Sequence, residues 1–316
     1  MTGTDLAFAA NLLRAGRLVA IPTETVYGLA GNAFDAVAVA EIFAVKQRPS
    51  FDPLIVHTSS LERMQGLVAG FPPDALRLAE HFLPGPLTLL LPKSEAIPDL
   101  VTAGSNWVAV RIPRHPLTLS LLEILEFPLA APSANPFGYI SPTTAGHVER
   151  QLGDKIPYIL DGGPCTVGLE STIVGFMDGT PVIFRKGGVS VEAVEAVVGP
   201  VVVRPHSSSN PLAPGMLKSH YAPHTPIFLG DIPTILKAHP DRRIGVLSFQ
   251  QHFADVPEED QVLLSASGNF SEAARNLFAG MRYLDGLGLY AIAAELLPEK
   301  DLGRAINDRL KRAAAK

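Results

Sequence analysis

Cysteine is almost missing from this chain. Cys165 is the only one in 316 residues, so no intramolecular disulfide can brace the fold, and the usage fits a reducing compartment. An excess of positive charge is missing too: 26 lysines and arginines face 31 acidic residues, a formal net charge of −5. That balance disfavours a protein that grips a long phosphate backbone by charge alone, while leaving room for a local basic pocket that takes a small anion. There are no long hydrophobic runs; stretches such as residues 87–91 fall far short of the ~20 needed to cross a bilayer. The opening carries Asp5, no early basic cluster and no small-residue cleavage site, so no signal peptide is read and the expected location is the cytoplasm. Neither GxxxxGK[ST] nor a helix-opening GxGxxG occurs, so a nucleotide site here needs another architecture.

What is present is a well-packed chain, 47% hydrophobic and 18% charged, long enough for two cores. Strand-like and helix-like patterns alternate through the first 200 residues. Residues 5–14, 34–45, 74–82, 117–125 and 189–198 read as helices, and residues 18–21, 53–57, 87–91, 107–112, 156–160, 171–176 and 182–184 as strands. The expected fold class is α/β, a curved mixed sheet with flanking helices rather than a purely doubly wound one. Between 204 and 226 the composition turns to Ser, Pro, His and Gly, which marks a linker, and 227–316 reads as a second, small α/β domain.

Chemistry-bearing residues concentrate in four blocks. The run from Pro22 to Leu29 (PTETVYGL) sets Thr23, Glu24, Thr25 and Tyr27 just past a strand end, where hydroxyls and amides can hold a small polar ligand or cap the next element. In Lys46-Gln47-Arg48 two cations one residue apart project similarly if the segment is extended, giving a fork for phosphate or carboxylate. Arg111, at a strand end, poses the same choice between pocket and surface. Ser133 and Asn135 lie between Pro132 and Pro136, so their backbone is restrained on both sides. The glycines around Thr166 and Ser171 (TVGLEST) have the character of an anion-binding loop. Glu24 and Glu170 lie in these blocks, yet neither stands out as a general base rather than a loop anchor. The histidines are scattered; only His220 and His224 have ligand-like spacing, without a supporting cluster, so no metal site is expected. Cys165 lacks a nucleophile signature.

Taken together, PTETVYGL, KQR, SAN, TVGLEST and the later SHYAP resemble the Sua5/YrdC/YwlC family, and the two-domain length resembles its L-threonylcarbamoyladenylate synthase branch. The resemblance covers residues 8–200 most strongly and becomes diffuse in the tail. It implies a YrdC-like catalytic domain with a cavity over 1–203, a linker and active-site lid over 204–226, and a Rossmann-like C-terminal domain over 227–316. It further implies condensation of L-threonine, bicarbonate and ATP into threonylcarbamoyl-AMP and pyrophosphate. Mg²⁺ would bridge the phosphates, and the product would feed downstream tRNA threonylcarbamoyl-transfer machinery that makes N6-threonylcarbamoyladenosine at position 37. No covalent enzyme intermediate and no strong direct tRNA binding are expected.

By the same resemblance, Lys46, Arg48, Ser133 and Asn135 form the nucleotide-binding tetrad and Arg185 binds phosphate, with Lys46, Arg48 and Arg185 the catalytic cations. Thr23, Thr25, Tyr27, His57, Arg111, Thr166 and Ser171 would surround threonine, carbamate and adenylate, and Tyr221 would close over the nucleotide. Replacing Tyr221 with Ala is expected to lower adenylate formation while leaving folding intact. Asp52 and Phe137 depart from the residues common in the family; Asp52 would either organise Lys46 and Arg48 or weaken anion binding. The alternative is a non-catalytic nucleotide or double-stranded RNA binding protein of the same fold.

Overall fold

The computed structural model describes residues 1–204, 213–216 and 221–315. In chain order the first domain contains β1 (Thr2–Gly3), α1 (Leu6–Arg14), β2 (Val19–Ile21), β3 (Gly28–Asn32), α2 (Ala36–Lys46), β4 (Ile55–His57), α3 (Leu61–Gln65), α4 (Pro73–Phe82), β5 (Leu87–Pro92), α5 (Asp99–Thr102), β6 (Trp107–Arg111), α6 (Pro116–Ile124), β7 (Leu129–Ala130), α7 (Ala145–Leu152), β8 (Tyr158–Leu160), β9 (Thr172–Met177), β10 (Thr180–Arg185), α8 (Val191–Val198) and β11 (Val202–Val203). The second contains β12 (Ile227–Leu229), α9 (Ile232–Ala238), β13 (Ile244–Ser248), β14 (Gln261–Leu263), α10 (Phe270–Asp285), β15 (Ala291–Ala294) and α11 (Gly303–Ala314).

The first domain is built on one eleven-stranded mixed sheet, ordered β1-β8-β2-β3-β7-β4-β6-β5-β9-β10-β11. The second carries a four-stranded sheet, β12-β15-β13-β14, whose pairings are all parallel. Helix starts follow local chemistry: Asp5 caps α1 through Phe8 N, and Asp35 caps α2 through Val37 N and Ala38 N. Strand β3, of sequence GLAGN, was not foreseen, because glycine has poor strand propensity. Tertiary pairing supplies what propensity lacks: β3 lies antiparallel to both β2 and β7, and a Cβ at Gly31 would run into Leu18 and Ile42.

The two domains share a core. Val26, Ile140, Leu169 and Tyr221 belong to the same buried apolar cluster as Leu277, Phe278, Met281, Leu284 and Ile306 of the second domain. Gly168 lies close against the second domain: its φ is +78°, and a Cβ there would meet the backbone of Arg275 on α10. Arg282 of α10 adds hydrogen bonds to the carbonyls of Ile140 and Ser141 and to Gln151 Oε1, while Tyr139 donates to Asp285 Oδ2 at 2.6 Å. No helix among the described residues is long and apolar enough to cross a membrane.

Candidate functional site

A cavity opens where the ends of β2, β4, β6 and β9 meet the loop before β3 and the loop after β7. Thr23, Thr25, Arg48, His57, Arg111, Ser133, Ser171 and Arg185 line it, together with Glu170 and with Pro214, Gly215 and Tyr221 from the linker. Eight residues singled out from four sequence blocks, from Arg111 and from the ends of β4 and β10 thus converge on one space. Its enclosed part, about 50 Å³, has room for a few waters.

Arg111 ends β6 and is held on three sides. Its Nη2 pairs with Glu24 Oε1 at 2.8 Å, its Nε donates to Gly85 O at 3.1 Å, and its Nη1 donates to Thr25 Oγ1 at 2.9 Å. Thr25 Oγ1 lies 2.8 Å from Thr23 Oγ1, and Thr23 donates to Val26 O at 2.6 Å. One hydrogen per hydroxyl then fixes the direction of the chain: Arg111 donates to Thr25, Thr25 to Thr23, and Thr23 to the backbone. Glu24 is an anchor here, since its other oxygen accepts from Arg114 N at 3.0 Å.

Lys46 and Arg48 do not form the expected fork. Lys46 is the last residue of α2, and Gln47 caps the helix in the left-handed conformation at φ 53°. The segment is therefore turned rather than extended, and the two side chains part. Lys46, 1% exposed, donates through Nζ to the carbonyls of Ser133 and Asn135, pinning the SAN loop; it is not among the residues lining the cavity. Burial, reinforced by Arg48 and opposed by Asp52, pulls its pKa well below the ordinary lysine value. Arg48 does line the cavity, held by Asp52 O at 3.0 Å, Pro53 O at 2.8 Å and the Asp52 carboxylate at 2.9 Å. Asp52 thus organises Arg48. Burial pushes the Asp52 carboxyl up, against the pull of Arg48 and Lys46.

Arg185, at the end of β10, bonds Ser171 twice: Nε to its carbonyl and Nη2 to its hydroxyl, each at 3.0 Å, with Thr88 Oγ1 2.7 Å from the same hydroxyl. Among the described residues no carboxylate comes within ion-pair distance of Arg185. Its charge is compensated less closely than that of Arg48 or Arg111, and burial draws its pKa down to about 10, so it stays cationic at neutral pH. His57, at the end of β4, is driven to about 3 by burial and then by Arg111, and is a neutral imidazole.

Other sequence-derived candidates fall elsewhere. Tyr27 is fully buried and does not line the cavity; its hydroxyl donates to Gly163 O at 2.8 Å and lies 3.1 Å from Asp161 Oδ1, fastening β3 to the loop after β8. Asn135 points its amide at Pro136 O and Tyr139 O, holding the loop's shape. Thr166 is exposed and outside the cavity. Tyr221 lines the cavity but is itself buried, at 1% exposure, stacked on Phe278 at 5.5 Å and lying 5.0 and 4.7 Å from the guanidinium carbons of Arg309 and Arg312. Folding therefore does not stand apart from Tyr221→Ala, contrary to the sequence expectation. Ser219 and His220 of the SHYAP motif lie outside the described residues.

Sequence reasoning missed Arg309. Its position, four residues after Ala305 and three after Ile306, puts it on the apolar face of α11, which was the available signal. Among the described residues no group of three or more His, Cys, Asp or Glu side chains could hold a metal ion.

A family model described as "Telomere recombination", covering Sua5, YciO and YrdC proteins, matches residues 11–187, and one described as "Threonylcarbamoyl-AMP synthase, C-terminal domain" matches residues 189–315. The threonylcarbamoyl-AMP synthase of Pyrococcus abyssi is 40% identical over 98% of this chain and 94% of its own length; that of Bacillus subtilis is 40% identical over 98% and 93%. The crystal structure of P. abyssi Sua5 complexed with L-threonine superposes with a TM-score of 0.92 at 39% identity, covering 99% of this chain and 97% of that one. Escherichia coli YciO, at 22% identity and a TM-score of 0.53 over 59% of this chain and 93% of its own, shares the fold of the first domain. With both domains matched in order and relatives aligned along nearly their whole length, the chain belongs to the threonylcarbamoyl-AMP synthase family, in its two-domain form.

Proposed function

We propose that this protein condenses L-threonine, bicarbonate and ATP into threonylcarbamoyl-AMP, releasing pyrophosphate, and that the product serves tRNA threonylcarbamoylation. The observation that carries the reading is a cavity walled by three buried arginines, two ion-paired to carboxylates and the third, Arg185, with no carboxylate at ion-pair distance among the described residues. A phosphoryl group that gains charge as pyrophosphate departs is best stabilised by cations already fixed in place.

The reaction asks for positioning rather than a protein nucleophile. The threonine amine, once neutral, attacks the carbon of carbon dioxide or activated bicarbonate. A carbamate oxygen then bonds to the α-phosphorus, and the bond from that phosphorus to the β-phosphate bridge oxygen breaks. Arg185 and Ser171 are suited to the phosphoryl oxygens, and Arg48 to the nucleotide beside the Ser133 loop that Lys46 pins. The Thr23–Thr25–Arg111 chain and neutral His57 offer a polar wall for threonine and its carbamate. Mg²⁺ bound with the nucleotide would supply charge neutralisation, and a mostly hydrated ion would need few protein ligands. The buried setting protects a labile carbamate from bulk water.

Pro214, Gly215 and Tyr221 of the linker line the cavity beside the arginines. That supports the lid role of the linker, and Phe278 under Tyr221 would give the second domain a hold on the lid. Purified protein with L-threonine, bicarbonate, Mg²⁺ and ATP is expected to release pyrophosphate and threonylcarbamoyl-AMP together, and only when threonine, bicarbonate and ATP are all present. Pyrophosphate release independent of threonine, or retention of double-stranded RNA without any turnover, would overturn the reading.

A further inference from the structure

We propose that Arg309, on the last helix of the second domain, is a positioning residue for the reaction: it sets the Ser171–Arg185 pair, so that the second domain completes the active site rather than merely regulating it. The inference rests on the synthase reading.

Arg309 is the largest of the fully buried side chains among the described residues, at 0% exposure. All three guanidinium nitrogens are used. Nε donates to Glu170 Oε2 at 2.9 Å, Nη2 to Lys186 O at 2.8 Å and Nη1 to Asp308 Oδ2 at 2.6 Å. Glu170 immediately precedes Ser171, and Lys186 immediately follows Arg185. One side chain from α11 therefore grips the neighbour of each member of the pair that faces the cavity. The two strand-end loops are already in close contact: Gly188 N donates to Glu170 O at 2.9 Å, and a Cβ at Gly187 would strike that carbonyl. Arg309 also lies against the Tyr221 ring, on the linker side of the same cavity.

The electrostatics favour a fixed geometry. Glu170 is buried, which opposes its charge, but Arg309, then Arg185 and the Ser141 hydroxyl at 2.6 Å, hold its pKa below the usual carboxylate value. The carboxylate has one oxygen for Arg309 and one for Ser141, and so a single orientation. A buried arginine joined to two carboxylates costs more in desolvation than an apolar packing of the same volume would, which makes it a poor device for stability alone. The planar fork reaches Glu170, Lys186 O and Asp308 at once; a lysine has one nitrogen and cannot span the three.

The test compares R309K, E170Q and D285N with the wild type, in the full-length protein. D285N weakens another contact between the domains, the one to Tyr139, without touching Ser171 or Arg185. Steady-state formation of threonylcarbamoyl-AMP is measured with thermal unfolding of each variant. R309K and E170Q are expected to fold, with kcat lowered about tenfold or more and KM for L-threonine within about twofold, while D285N keeps the wild-type kcat. Wild-type kcat in R309K, or an equal loss of kcat in D285N, would overturn the proposal, because domain docking alone would then account for Arg309. If R309K or E170Q does not fold, R309Q takes its place under the same criteria. A wild-type protein that makes no threonylcarbamoyl-AMP sinks the synthase reading instead. In that case pyrophosphate binding by calorimetry decides the positioning role: loss in R309K with retention in D285N supports it, and unchanged binding in R309K overturns it.

Discussion

Arg185 donates to both the hydroxyl and the carbonyl of Ser171, each at 3.0 Å, so a buried cation and a cavity-facing hydroxyl are held together. Phosphoryl transfer by positioning would depend on this pair. Arg185→Lys keeps the charge and loses the fork; it is expected to lower kcat for threonylcarbamoyl-AMP formation about a hundredfold, the scale typical of a lost transition-state donor, with little change in melting temperature. Steady-state kinetics beside thermal unfolding would check this, and a kcat within twofold of wild type (about 0.4 kcal/mol) would exclude the role.

Tyr221 separates packing from lid chemistry when its two truncations are compared. Tyr221→Ala removes a ring buried against Phe278 and is expected to destabilise the protein by about 3–5 kcal/mol, whereas Tyr221→Phe keeps the ring and its stacking. Denaturant unfolding of both variants checks the difference; equal stability of the two would show that the ring does not pack as described.

Gly168→Ala should disrupt domain docking. Its φ of +78° disfavours a side chain, and a Cβ would press on Arg275 of α10. The expected result is faster proteolysis between the two domains and a lower melting temperature. An unchanged proteolytic pattern would count against the close approach.

Truncation after Pro226 is expected to yield an aggregating or poorly soluble first domain rather than a deregulated enzyme. The cut exposes Val26, Ile140, Leu169 and Tyr221 and strands the Glu170 carboxylate without Arg309. Light scattering of the truncated protein checks this; a monodisperse and active fragment would refute it.

Stability should fall on acidification from about pH 6.5, the unperturbed histidine value, downward. His57 and His147 have folded pKa values depressed to about 3 and about 4, chiefly by burial, and His147 Nδ1 accepts from Thr143 N. The unfolded chain binds protons that the folded one refuses, so the stabilisation is complete above the unfolded pKa and is lost as pH drops towards the folded ones. Melting temperatures measured between pH 7 and 4.5 should show a weaker slope in His147→Gln than in wild type.

The strong helices and buried strands were legible because their signals are local: Asp5 and Asp35 before apolar runs, and the apolar stretches 87–91 and 107–112, which fall on β5 (Leu87–Pro92) and β6 (Trp107–Arg111). Strand β3 was not, since its glycines are tolerated only because β2 and β7 lie on either side. The site shows the same split. Thr23, Thr25, Arg48, His57, Arg111, Ser133, Ser171 and Arg185 could be named one by one and do share a cavity. The division of roles between Lys46 and Arg48 hung on the left-handed turn at Gln47, which residue types alone do not reveal.

By itself the sequence determined the family, the two-domain order and a set of candidate site residues, because motifs and periodicity are written along the chain. Only the tertiary structure decided which of those residues face the cavity and which hold it open. It alone brought Arg309 to Glu170, 139 positions away along the chain. Contacts between distant segments depend on how the chain packs in three dimensions, and α11 meets the loop before β9 across the junction of the two domains.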